Sequence, residues 1–290
     1  MADTNDATNG PTIDHLAYPH VIERVLQFAD ARTLLAFSRT AQAYRPCAAV
    51  ATRHIVVEPC GRSLALRSSR GSLGIEVEPQ AHHIPAHAHI PMASLTHTRV
   101  LDFIGPVGRN APRLLQSIPA DIVRVIQRDG IARHNFVAFK STTTIVFGDL
   151  VLRSDAHVSA YWSGPGVPPN TRLVWNIKGI RSGSPVTNKL TDKGLREMVL
   201  HFSIDSICKL QPEWFDLLSK WIMILSNLEE IKMRFVGLDE LLERLDMPPT
   251  SIWILARGKL GKRASFISAE AYELEVGREQ YELETCEELW

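Results

Sequence analysis

The chain has 290 residues, of which 45% are hydrophobic and 22% are charged, so its composition is that of a globular protein with room for about two domains. No apolar run reaches the ~18 residues that a membrane span needs, and the N-terminus lacks a secretory or transit signal. The four cysteines lack the close spacing of a zinc site or a disulfide scaffold. We therefore expect reduced thiols and a cytoplasmic or nuclear protein without a membrane partner.

The formal net charge is zero, but the two signs are distributed unevenly. Residues 268–290 contain eight glutamates and one arginine, a charge of −7, so the remaining residues carry +7. Ser268 is a candidate N-cap, and Gly277 separates two short helices. We expect residues 268–290 to form an acidic helical C-terminal cap that pairs with a basic body. Its apolar anchors would be Tyr272, Leu274, Val276, Tyr281 and Leu283.

Residues 1–14 are polar and predict a disordered tail. Residues 15–58 then show three short amphipathic helices. Pro19 suits the first turn of helix one, Asp30 can cap helix two, and Pro46 should restart helix three. Because so small a module forms only a small core, we expect it to dock on the next domain or on a partner. Its apolar positions include Ile22, Val25, Leu26, Leu34 and Leu35.

Residues 59–97 are rich in Gly, Pro, Ser and His and predict a connector, with possible short strands at 63–66 and 74–77. Neutral imidazoles within it are candidate zinc or copper ligands. No carboxylate or cysteine accompanies them, so we favour a proline-bracketed loop and predict no metal or other cofactor. The four histidines are His82, His83, His87 and His89.

Residues 98–267 contain a recurring apolar pattern. Leu195-x-x-Met198-x-Leu200 and Leu228-x-x-Ile231-x-Met233 both fit the strand core of a leucine-rich repeat. Strands are expected to start near 99, 145, 172, 197, 230 and 251, with helices over 118–127 and 213–228. The uneven steps between strand starts predict an irregular α/β repeat domain.

Catalytic signatures are absent from the sequence: it has no P-loop, H-E-x-x-H, G-x-S-x-G or paired C-x-x-C motif. We therefore expect no enzymatic activity. The basic run from Arg257 to Arg263 is a candidate phosphate-contacting patch or nuclear address, but a solvated turn is favoured. Balanced charge and a lack of interleaved aromatics argue against nucleic-acid binding.

The segment 18–58 resembles the F-box, a three-helix module. The resemblance rests on Pro19 and the apolar positions of helix one, on the pair Leu34-Leu35, and on Arg39 with Tyr44-Arg45 in helix three. It implies docking on the Skp-family adaptor of cullin–RING ubiquitin ligases. The adaptor-binding residues implied in this way are Pro19, Ile22, Val25, Leu26, Leu34 and Leu35.

Further stretches look like a group of F-box-like proteins from basidiomycete fungi. They are HTRVLD at 97–102, TIVF at 144–147, LREMVL at 195–200 and AYELEVGREQYELET at 271–285. This resemblance implies that the repeat region selects a client protein.

The expected fold class is α+β or α/β: an F-box-like helical module, an irregular leucine-rich-repeat-like strand–helix stack and a C-terminal helical cap. The expected function is a non-enzymatic substrate-recognition subunit of a ubiquitin ligase. One alternative is a ligase-independent interaction scaffold whose helices are a structural cap. A second, less favoured alternative is an enzyme or metal protein built around the four histidines.

Overall fold

The computed structural model of the chain describes residues 18–40, 42–60, 63–77, 95–104, 118–126, 141–152, 171–182, 195–203, 214–226, 231–248 and 250–287. The tail predicted over residues 1–14 and the four histidines between 82 and 89 lie outside these ranges.

Three helices open the described chain, as the sequence predicts: α1 (Pro19–Phe28), α2 (Ala31–Thr40) and α3 (Arg45–Thr52). The backbone N–H of Thr33 donates to Asp30 Oδ1 at 2.8 Å, so Asp30 caps α2. A 3₁₀ turn precedes α3, and Pro46 lies in the first turn of α3, where a missing N–H costs no hydrogen bond. The predicted cap at Asp30 and the predicted restart of helix three at Pro46 are both confirmed.

The helices lead into an antiparallel unit of three strands, β1 (His54–Cys60), β2 (Ser63–Ser68) and β3 (Gly71–Val77). The short strands expected at 63–66 and 74–77 are confirmed within β2 and β3. Strand β1 was not predicted. The start of the expected connector is therefore part of the sheet.

Seven further strands follow: β4 (Val100–Ile104), β5 (Ile122–Ile126), β6 (Thr143–Leu152), β7 (Thr171–Ser182), β8 (Leu195–Phe202), β9 (Lys232–Val236) and β10 (Ala264–Ile267). All ten strands form one sheet in the order β10-β9-β8-β7-β6-β5-β4-β1-β2-β3. From β4 to β10 each strand pairs in parallel with the next one along the chain. The fold is mixed α/β with a mostly parallel sheet.

The parallel strands share a register, which allows the chain length between equivalent positions to be measured. One such row is Asp102, Arg124, Ile145, Val174, Val199, Arg234 and Ser265. Its successive members are 22, 21, 29, 25, 35 and 31 residues apart. The predicted uneven spacing is confirmed.

Helices cover both faces of this sheet. On one face, α4 (Trp214–Leu225), α5 (Leu238–Arg244) and α6 (Thr250–Leu260) contribute to a core with strand residues such as Trp175 and Leu200. On the other face, α7 (Ala269–Val276) and α8 (Arg278–Thr285) pack over a second cluster that includes Val174 and Val199. The predicted helix over 213–228 is confirmed as α4.

Two predicted elements have the wrong type. The expected helix over 118–127 contains strand β5, whose residues Ile122–Ile126 are all buried, because a sheet covered on both faces leaves no polar alternation. The strand expected near 251 is helix α6. Ile252, Ala256 and Leu260 are buried at four-residue spacing, whereas Ile254 is 72% exposed.

The C-terminal helices begin and break as predicted. The Ala271 N–H donates to Ser268 Oγ at 3.1 Å, and Gly277 adopts a φ of 84° between the two helices. Tyr272 is fully buried, but Leu274 is exposed and is not an anchor. The pair lies against a face of the sheet rather than beyond its last strand, because Tyr272 joins the apolar cluster of that face.

Candidate functional site

Helix α1 presents an apolar stripe to solvent. Tyr18, Val21, Val25 and Phe28 recur at helical spacing and are 54%, 46%, 46% and 76% exposed. Of the residues expected to bind an adaptor, Pro19 and Val25 are exposed in α1, and Ile22 is half-buried. Leu26 faces inward and packs against the main core. The stripe is a candidate docking surface.

Leu34 and Leu35 require a correction. Both lie on the inner face of α2, where they are only 2% and 5% exposed within the main core. Ala31 and Ala48 are buried in the same cluster, so α2 is held between α3 and strand β3. In this structure these two leucines hold the helices to the sheet and are not available to a partner.

The turn between β2 and β3 fixes the helical module in place. Arg70 Nη1 donates to the carbonyls of Leu26 and Gln27, at 3.2 and 3.0 Å, and a cation at a helix C-terminus is favourable. The Ala31 N–H donates to the Arg70 carbonyl at 3.1 Å. The α1–α2 junction is thereby tied to the sheet.

A chain of alternating charges joins the second face of the sheet to the C-terminal helices. Glu197 in β8 accepts from Arg172 Nε at 2.8 Å and from Arg234 Nε at 3.0 Å. Arg172 also pairs with Glu284 of α8, and Arg234 pairs with Glu275 of α7 at 2.7 Å. Three neighbouring strands and both helices therefore share one ionic network.

Glu284 is the most enclosed member of this network, with a fully buried side chain. Burial raises its pKa, but hydrogen bonds from Arg172, Gln280 and Tyr272 outweigh this and leave the pKa below its usual value. Tyr272 Oη donates to Glu284 Oε2 at 2.7 Å, and burial raises the pKa of that phenol, so it stays a donor.

The segment after α8 continues across the sheet. Arg124 in β5 is fully buried; it pairs with Asp102 at 3.1 Å and donates to the carbonyls of Cys286 and Glu287. Lys178 in β7 pairs with Glu287. The expected pairing of the acidic segment with a basic body is thus seen as specific contacts.

These contacts change where a client could bind. The sheet face from β5 to β9 was a natural candidate for holding a client, but its described residues lie under the chain's own C-terminal helices. The opposite face forms the main core. Around strands β5 to β9, a binding surface must therefore lie at the strand ends or on the helices.

A concave site lies beside the carboxyl ends of β8 and β9. This strand-end cleft has a volume of about 440 Å³, within the usual range for ligand sites. His201, near the end of β8, is only 6% exposed, and its Nε2 has no hydrogen-bond partner among the residues that the structure describes. Glu240 Oε2 is likewise buried without a partner among those residues. The lining includes Lys178, His201, Phe202, Glu240, Tyr281 and Glu287.

His201 is held neutral. Burial lowers the pKa of its imidazole to about 4; the Glu284 carboxylate acts in the opposite direction, and the Arg172 guanidinium adds to the lowering. Its ring makes edge contacts with Tyr272 and Tyr281, with centroid distances of 4.9 and 5.9 Å. Sequence alternation places His201 on the face shared with Val199 but does not reveal what covers that face. The cleft was not predicted.

The basic run 257–263 is largely exposed, as expected of a solvated turn, but only its second half is a turn. Arg257 and Lys259 lie in the last turn of α6, and Lys262 and Arg263 lie in a 3₁₀ turn before β10. The Arg257 guanidinium stacks 5.0 Å from the Trp253 ring centroid.

Within the described ranges, no group of three His, Cys, Asp or Glu side chains could hold a metal ion. In the same ranges no helix has the length and apolarity needed to cross a bilayer. Comparisons of the whole chain with protein-family models, with curated proteins and with solved structures gave no significant match.

Proposed function

We propose that the protein is a non-enzymatic substrate-recognition subunit of a cullin–RING ubiquitin ligase, with α1 docking on a Skp-family adaptor and the sheet domain binding a client protein. The observation that carries the proposal is the apolar stripe of Tyr18, Val21, Val25 and Phe28. The stripe lies on the first helix of the F-box-like segment, and it is an exposed apolar surface of the kind that a partner would cover.

The stripe has the geometry of a helix that docks in a groove. Its residues fall at i, i+3, i+7 and i+10, which is the anchor spacing of amphipathic helices bound in apolar grooves. Leu26 faces the opposite way, into the protein's own core. A partner could therefore bind α1 without removing the contacts that hold this helix to the sheet.

The parallel strand order supports a leucine-rich-repeat-like interpretation of the body. Leu195, Met198 and Leu200 of the repeat pattern are all buried in the main core, as are Ile231 and Met233 of its second copy. In the proposed assembly this body holds a client near the ligase. Catalysis of ubiquitin transfer belongs to other subunits.

The second candidate is a ligase-independent scaffold in which the three helices are a structural cap on the sheet. Burial of Leu34 and Leu35, together with the Arg70 contacts to the end of α1, favours it. The stripe would then be covered by a different protein, and the adaptor would not bind.

Co-purification with a Skp-family adaptor tests the two candidates. Changing Val25→Asp with Phe28→Asp should weaken adaptor binding at least about 30-fold, since two of the four apolar anchors are lost. The matched control is Ile254→Asp with Leu274→Asp, which alters two exposed apolar residues on other helices and should leave binding unchanged. Failure of the wild-type chain to bind the adaptor, or equal binding by both variants, would reject the ligase role.

A further inference from the structure

We infer that the strand-end cleft binds an ammonium or guanidinium group carried on a short apolar chain. If the proposed function holds, this ligand is a lysine or arginine side chain of the client. The inference about the cleft itself does not depend on the ligase role, because it rests on the charges and unpartnered atoms that line the cleft.

The first step is the balance of charge. Lys178 and Glu287 line the cleft and pair with each other, so their charges cancel locally. The imidazole of His201 is neutral, since burial holds its pKa at about 4. Among the described residues no cation pairs with Glu240, which therefore leaves the lining with one unbalanced negative charge that a cationic ligand would match.

The second step concerns the unpartnered atoms. Glu240 Oε2 and His201 Nε2 are both buried, and neither has a hydrogen-bond partner within the described part of the chain. Leaving a buried polar atom unpaired costs about 1–3 kcal/mol, more when the group is charged. A ligand that donates hydrogen bonds to Glu240 relieves that cost, whereas an anion or an acceptor-only ligand increases it.

The third step is the shape and polarity of the walls. Phe147, Phe202, Val236 and Tyr281 supply apolar surface beside the polar groups. Aromatic rings attract cations at their faces, and apolar walls suit the methylene stem of a lysine or an arginine. A volume of about 440 Å³ accommodates one such side chain or a small free amine.

Position in the fold agrees with this assignment. The cleft lies where β8 and β9 end, and carboxyl ends of parallel strands are the usual ligand side of α/β sheets. Among the described residues both faces of β5 to β9 are covered, so the strand ends are where a client side chain would enter this part of the sheet.

Calorimetric titration of the full chain tests the inference. The probe is n-butylguanidinium, and its neutral match is n-butylurea, which has nearly the same shape. A fragment of this size should bind with Kd of about 1 mM. We expect the cation to bind at least about tenfold more tightly than the urea. No binding below about 10 mM, or equal binding of the two, would overturn the proposal.

Three variants locate the binding. Glu240→Gln should weaken n-butylguanidinium binding about tenfold, whereas Glu243→Gln, an exposed position on the same helix, should leave it unchanged. Lys178→Met should strengthen cation binding, because it frees Glu287 while removing a positive charge. Damage to the fold would not produce such a gain. An unaltered affinity in Glu240→Gln would overturn the assignment.

A second arm separates the two sources of the cation. A blocked Gly-Arg-Gly peptide should bind at least as tightly as n-butylguanidinium if a client side chain is the ligand, and its citrulline analogue should not bind. Binding of the free cation without the peptide would assign the cleft to a small molecule. Neither titration involves the adaptor, so their failure is distinct from failure of the ligase role.

Discussion

Arg172 of β7 and Glu284 of α8 face each other as a two-pronged ion pair, in which Nη1 donates to Oε1 and Nη2 donates to Oε2. The two residues are 112 positions apart in the chain. Because the Glu284 side chain is completely buried, the pair fixes where α8 lies on the sheet. Buried pairs of this kind constrain geometry more reliably than they add stability.

Glu284→Gln should destabilise the fold by about 3 kcal/mol, since it leaves Arg172, whose side chain is only 19% exposed, without its main counter-charge. Urea denaturation measures this change. Glu282→Gln is the matched control, because Glu282 lies on the same helix and pairs with Arg278 at the surface. Equal midpoints for the two variants would show that the Arg172 pair does not hold α8 to the sheet.

Stability should fall between pH 6.5 and pH 4 because of His201. The unfolded chain takes up a proton on this histidine near pH 6.5, whereas the folded chain does so only near pH 4, because burial lowers the pKa. The unfolded state therefore binds more protons in this window, and the free energy of unfolding drops by on the order of 3 kcal/mol as the pH falls through it.

The variant His201→Phe tests this linkage, since it keeps a ring beside Tyr272 and Tyr281 but does not titrate. Its unfolding free energy should be nearly flat between pH 6.5 and about pH 4.5. His20→Phe changes an exposed histidine of α1 and should keep the slope of the wild type. An unchanged slope in His201→Phe would contradict the prediction. Below this window Glu284 causes a further loss of stability. Its pKa is lowered in the folded chain, so the stability that its carboxylate contributes is lost only when acid protonates it.

Removing residues 268–290 should expose a basic and partly apolar face of the sheet that binds polyanions and apolar dyes. The truncation leaves a body with net charge +7 and uncovers Val174 and Val199 beside Arg172 and Arg234. We expect retention on heparin and bright fluorescence with an apolar dye, neither of which the full chain should show. Glu270→Gln with Glu279→Gln reduces the acidity at exposed positions without uncovering the face, and should give little dye signal.

The helices near both ends of the chain could be read from the sequence because their caps and breaks are local. Asp30, Ser268 and Gly277 each act within a few residues. The type of β5 could not be read in the same way. Four of its five residues are apolar and all five are buried, including Arg124, so it shows no alternation of buried and exposed positions, and a buried helix would give a similar run.

The strand-end cleft and the ionic network could not be predicted for a related reason. Glu197 meets Arg172 and Arg234 because three strands are in register, and Glu284 reaches Arg172 across 112 positions. The excess of acid in the C-terminal segment predicted that it would pair with the body. The order and register of the strands decide which side chains meet, and a single sequence reveals neither.

Gly237 links the end of β9 to the start of α5 and should tolerate no side chain. Its φ is +72°, and a Cβ there would lie 2.8 Å from the backbone carbonyl oxygen of Phe202. Gly237→Ala should therefore destabilise the fold by more than about 1 kcal/mol, because the left-handed conformation and a rigid backbone contact both oppose it.

Gly258→Ala provides the opposite control. Gly258 lies inside α6 with nothing near its Cβ position, so the alanine should stabilise the fold by about 0.5–1 kcal/mol. Thermal unfolding of both variants measures the difference. Because Gly237 also lines the strand-end cleft, its alanine variant should weaken n-butylguanidinium binding as well, whereas Gly258→Ala should not; equal Tm shifts in the same direction would contradict the argument.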